Sequence, residues 1–140
     1  MKVFSILILL FIEMNNAKKN EYTIVATYSG GCGYSQMTKR KMINELIHYL
    51  NDTNDSCEFK SEIYNLQIEK DNTKFNTYKD ADVNYAKTIN SYEFNLYLLK
   101  DNIKHLVYTS DQFNKDFFMH SMTPQQKIFD FILNNVKSLL

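Results

Sequence analysis

Hydrophobic residues along the chain fall into two alternating periodicities. Tyr22 to Tyr28 (YTIVATY) is a run of β-branched and aromatic residues closed off by glycines, the pattern of a buried strand. Gly30, Gly31 and Gly33 break it. From Ser35 to Leu50 the apolar residues Met37, Met42, Ile43, Leu46, Ile47 and Leu50 recur at helical spacing. Residues 51–56 (NDTNDS) read as a polar loop. Between Cys57 and Ile68, Phe59, Ile63, Leu66 and Ile68 alternate in part, which predicts a second strand inside that window.

The stretch after Asp71 is mostly polar, and Val83, Ala86 and Ile89 are spaced to line one face of a short helix. Phe94–Leu99 (FNLYLL) predicts a third strand, KDN a turn, and Ile103–Thr109 a fourth strand completing a hairpin. The last segment opens with TPQQ. Thr123 is placed as N-cap, Pro124 as first helical residue and Gln126 as the second half of a capping box. Phe129, Ile132, Leu133, Val136 and Leu140 form the apolar face of that helix. The order β-α-β-α-β-β-α, with no repeat, linker or break in composition, predicts one α/β domain.

The amino-terminal residues modify this picture. Lys2 precedes an apolar run from Val3 to Ile12, shorter than the ~20 residues a membrane span needs. Its length suits the apolar region of a secretory signal peptide, with Ala17 as the small residue before cleavage. Residues 1–17 are therefore expected to be removed, leaving 18–140 as a domain without a membrane span, in the endoplasmic reticulum lumen or secreted. In that setting Asn51 and Asn54 are both acceptor patterns for N-glycosylation. The chain ends in KSLL, which is not an endoplasmic-reticulum retention signal.

With 140 residues, 44% of them hydrophobic, the chain can bury a core without metal or disulfide staples. Sixteen basic and sixteen acidic residues cancel. No basic stripe follows the spacing of a phosphate backbone, which argues against nucleic acid as a partner. His48, His105 and His120 show no ligand spacing with one another or with a cysteine. Nor is there a carboxylate pair, a Ser-His-Asp set or a phosphate-binding loop, so no metal or nucleotide cofactor is indicated.

Chemistry concentrates at YSGGCGYS, residues 28–35. A cysteine between a strand and a helix N-terminus meets unpaired backbone N–H groups and the positive end of the helix dipole. Both favour the thiolate. Glycines on either side let a substrate backbone come close. Set against this, a lone cysteine beside a tight turn is more often structural.

YSGGCGYS resembles the F/Y-A-P-W-C-G-H-C stretch of thioredoxin and protein disulfide isomerase domains. VNYAKTINSYEFNLYLL, residues 83–99, is similar to that family's helix, its approach to the third strand, and the strand itself. The resemblance extends over most of residues 22–136. It implies a single thioredoxin-like domain, a central mixed sheet flanked by helices, with Cys32 as nucleophile. By the same resemblance, Gly33, Tyr34, Tyr92 and Glu93 border the substrate site. Protein or peptide thiols and disulfides, and glutathione, are the implied partners.

Several family positions are replaced. Ser35 stands where the resolving cysteine would be, and a hydroxyl cannot carry thiol–disulfide exchange. Gly31 stands for the family's tryptophan, Ala26 for its buried acid, and Glu93 for its cis-proline. A trans, differently shaped loop is therefore expected before the third strand. These replacements argue against dithiol oxidation or reduction, and leave mixed-disulfide chemistry at Cys32, with Ser35 and Tyr34 as hydrogen-bond donors to the thiolate. Cys57 is expected away from the site. An alternative is a redox-inactive binding or chaperone module using Tyr34, Tyr92 and Phe94, although Phe94 reads as core. CGYS also resembles the CGFS signature of monothiol glutaredoxins, and YSGGCGY the motif of selenoprotein W- and T-like proteins.

Overall fold

The computed structural model describes residues 19–31, 33–90, 93–110 and 125–140, excluding the side chains of Tyr34 and Ser35. In chain order the elements are β1 (Asn20–Tyr28), α1 (Gly33–Thr53), β2 (Cys57–Asn65), α2 (Glu69–Phe75), β3 (Lys79–Asp80), α3 (Val83–Ala86), β4 (Asn95–Lys100), β5 (Ile103–Thr109) and α4 (Gln125–Leu139). The five strands form one mixed sheet in the order β2-β1-β4-β5-β3. β1 runs parallel to β2, antiparallel β4 and β5 follow, and β3 joins β5 in parallel.

The pleat of β1 sorts its side chains to two cores. Ile24, Ala26 and Tyr28 face a core closed by Ile43, Leu46 and Leu50 of α1 and by Phe129, Ile132, Leu133 and Val136 of α4. Val25 points the other way, into a smaller core with Tyr64, Phe75 and Tyr97. Helices therefore cover both faces of the sheet. This explains why YTIVATY is apolar throughout rather than alternating: Thr23 to Tyr28 are all buried.

The β4–β5 hairpin follows from local geometry. Asp101 and Asn102 take φ of 54° and 63°, both left-handed, as a two-residue turn matched to strand twist requires. Asp and Asn tolerate that region better than most residues. Farther along, Leu96 faces Tyr108 while Tyr97 faces Leu106, so Val107 is an extra, bulged residue. The bulge turns both Val107 and Tyr108 into the larger core, beside Phe94.

Several expectations need correction. Residues 51–53 are the last turn of α1, not loop. Asn51 points its amide at the edge strand β2, donating to Phe59 O at 3.1 Å and accepting from Phe59 N at 2.7 Å. Asn54 follows the helix and donates to Leu50 O at 2.9 Å. Met37 is 71% exposed, on the outer side of α1. α2 and β3 were not anticipated, because EKDNTKF carries only Phe75 into the core and β3 is two residues held by its partner strand. α3 exists, but it is a single turn capped by Asp82, and Val83 is 59% exposed. Of the expected apolar face, Ile89 reaches the smaller core. The Thr123–Pro124 cap and the leader, residues 1–17, lie outside the described residues. Among the described residues no helix is long and apolar enough to cross a membrane.

Candidate functional site at the β1–α1 turn

The site is built where β1 hands over to α1. Gly30 and Gly31 have φ of 69° and 98°, a region side chains with a Cβ rarely adopt. A Cβ at Gly30 would also come within 2.8 Å of the Gln67 Oε1 atom. Asn65, the last residue of β2, organises the turn. Its Oδ1 accepts from Gly30 N and from Gln67 N, each at 3.1 Å. Its own N–H donates to Asp71 at 2.9 Å, and Leu66 N donates to Tyr28 O at 2.8 Å. Across the turn, Gln36 Nε2 donates to Gly31 O at 3.2 Å.

Cys32 lies outside the described residues, between Gly31 and Gly33. Gly33 opens the 21-residue α1, is exposed, and has no atom of the described residues within 4 Å of where its Cβ would be. The first turn of α1 holds no acidic residue to offset the positive helix end. Ser35 and Tyr34 belong to this first turn by backbone; the positions of their side chains lie outside the described residues. One turn on, the Lys39 ammonium sits 5.1 Å from the centre of the Tyr28 ring.

Glu93 lies at the same end of the sheet, because Thr27 of β1 pairs with Asn95, two residues after it. Its carboxylate accepts a short hydrogen bond from the Ser110 hydroxyl, whose oxygen accepts from Phe94 N at 3.0 Å. Glu93 N donates to Asn90 O at 3.1 Å. The carboxylate is thus folded back onto the start of β4. Together with burial, the larger cause, it pushes the Tyr108 hydroxyl up to about 12. Tyr92 lies outside the described residues, as does the loop bond joining it to Glu93. Phe94 is 8% exposed, a core residue.

Ala26 is fully buried among apolar groups, so no acid stands at that position. Cys57 is a free, buried thiol at the amino end of β2. It pairs with Asn20, whereas the turn follows Tyr28, eight residues along a parallel strand. At ~3.3 Å per residue that is roughly 26 Å. Sequence reasoning missed Asn65 and Gln36, and nothing local singles them out. Asn65 is a strand-end asparagine whose role depends on β2 lying beside β1.

Among the described residues no group of three or more His, Cys, Asp or Glu side chains could hold a metal ion. His48 is exposed and His105 half-buried; His120 lies outside the described residues. In comparisons with known proteins, no family model, no curated protein and no solved structure matches this chain. The described residues form an α/β arrangement compatible with one domain, a mixed five-stranded sheet flanked by helices, with a glycine turn ahead of a long helix.

Proposed function

We propose that the chain is a thioredoxin-like domain of the secretory pathway, related to protein disulfide isomerases, in which Cys32 is the single nucleophile. The observation that carries this reading is the turn itself. Two left-handed glycines stand just before position 32 in the chain, and just after it begins a 21-residue helix whose first turn lacks acid and whose first residue is exposed. The strand order β2-β1-β4-β5, with α1 and α4 on one face, supports a thioredoxin-like arrangement. β3 is an added edge.

In the proposed reaction the Cys32 thiolate attacks one sulfur of a client disulfide, or of oxidised glutathione. A mixed disulfide forms and the other sulfur leaves as a thiolate. A second thiolate, from the client or from glutathione, then attacks the mixed disulfide and regenerates Cys32. Electrons balance with no net oxidation. Cys57 cannot resolve the intermediate within the fold at the separation given above.

The test is the pH dependence of Cys32 alkylation in a Cys57→Ala background. The expected result is rapid labelling with a thiol pKa well below the ~8.5 of free cysteine. Labelling only on unfolding would refute the enzyme reading and leave a binding module.

A further inference from the structure

A polar pair joins β1 to β4 just before the glycine turn. Thr27 and Asn95 are direct partners across these antiparallel strands, so their side chains leave the sheet on the same face. Residues paired in this way have Cβ atoms roughly 4.5–5.5 Å apart. The face is that of the smaller core, because Val25 and Tyr97, two residues away on each strand, belong to it. Tyr64 completes the row on the far side of Thr27, but its hydroxyl donates to Glu62 at 3.0 Å.

Both members of the pair are closed off from solvent, Thr27 at 0% and Asn95 at 1% exposure. Among the described residues, neither Thr27 Oγ1 nor Asn95 Oδ1 has a hydrogen-bond partner. They do not bond to each other. Nor does turning the Asn95 amide over relieve the defect. Its Nδ2 donates to Asn90 O at 3.1 Å, and the reversed amide would set two oxygens against each other. Oδ1 is therefore fixed as an acceptor without a donor.

Burial and chemistry together select the occupant. Buried polar groups left without a protein partner are commonly bridged by ordered water, whereas apolar cavities stay dry. The occupant has to donate to an amide oxygen and pair with a hydroxyl. Neither side chain is charged, and an ion taken from water into such a place is penalised far more heavily than a neutral molecule.

We propose that Thr27 and Asn95 bind one internal water molecule between β1 and β4. The water donates to Asn95 Oδ1 and accepts from the Thr27 hydroxyl, two bonds of roughly 2.8 Å that suit oxygens too far apart to bond directly. It acts as a side-chain rung tying the two strands together where β1 gives way to the turn. The site owes nothing to Cys32.

The test is oxygen-17 relaxation dispersion on the full chain, which counts long-lived internal water and is blind to hydroxyl protons exchanging with solvent. Water-selective nuclear Overhauser spectra locate the molecule at the Asn95 side-chain amide. The parent protein should show a long-lived water and that cross-peak. Thr27→Val, which keeps the shape of the side chain and removes the hydroxyl, should lose one water from the count and the cross-peak with it. Thr27→Ser, which keeps the hydroxyl, should retain both. A parent protein with no long-lived water, or with none at Asn95, would overturn the proposal whether or not the valine variant folds. An unchanged count in a folded Thr27→Val protein, or loss of the water in a folded Thr27→Ser protein, would overturn it as well.

Discussion

Asn51 offers a direct test of how the long helix is tied to the sheet. Its amide makes two hydrogen bonds to one residue of the edge strand, 2.7 Å from Phe59 N and 3.1 Å from Phe59 O. In effect the side chain acts as one more rung on the open side of β2. Asn51→Ala removes both bonds. At a net ~0.5–1.5 kcal/mol each, the loss should be about 1–3 kcal/mol, or roughly 4–12 °C in Tm for a domain of this size. Asn51→Asp separates the two bonds. The carboxylate still accepts from Phe59 N but faces the Phe59 carbonyl oxygen, so its folded pKa rises above the ordinary ~3.9. A group with a raised folded pKa contributes its full stability below the unfolded value and loses it as pH rises through the folded one. The Asp variant should therefore approach the parent protein below about pH 4 and match the Ala variant near neutrality. Urea unfolding across pH, read by far-ultraviolet circular dichroism, provides the measurement. If Asn51→Ala lies within ~0.5 kcal/mol of the parent, or the Asp variant shows no pH dependence of its own, the amide does not clamp the strand.

Other consequences are as direct. Gly30→Ala should cost about 1–2 kcal/mol from its left-handed φ of 69°. Adding Gln67→Ala should relieve the contact with the Gln67 side chain but not that backbone cost, as unfolding midpoints would show. Burial raises Tyr97 and Tyr108 to about 12 from an unfolded value near 10, so each stabilises the fold below pH 10 and loses that contribution as pH climbs through 12. At ~1.4 kcal/mol per pH unit this amounts to about 2–3 kcal/mol each. Tyrosinate absorbance should show both ionising only as circular dichroism is lost, and Tyr97→Phe and Tyr108→Phe should each raise the alkaline midpoint. Ionisation of all ten tyrosines near pH 10 with native dichroism intact would contradict this.

Much of the fold was legible from periodicity, for identifiable reasons. β1 reads as a strand because both its faces are buried, which leaves a continuous apolar run. The hairpin reads from KDN, since two residues tolerant of left-handed backbone sit between two apolar runs. The inner face of α1, from Ile43 to Leu50, and of α4, from Phe129 to Val136, was visible at helical spacing because each helix packs one side on the sheet. The glycine turn and the isolation of Cys57 also followed from sequence order alone.

Other features exist only through tertiary contact. α2 and β3 are short, polar segments whose own propensity and periodicity are weak; Phe75 and pairing to Ile103 and Lys104 hold them in place. Met37 fits a helical apolar pattern and still faces solvent, because spacing cannot say which side of a helix has a partner. Asn51 and Asn65 look like ordinary loop and strand-end asparagines until β2 is laid beside α1 and β1, when each meets backbone groups that need a partner. The Lys104–Asp80 pair comes from residues brought together across the sheet edge. Sequence by itself determined where strands and helices could form, since that depends on neighbours along the chain. Which polar groups ended up paired, buried or left open was decided by the packing of distant segments, and no local pattern encodes that.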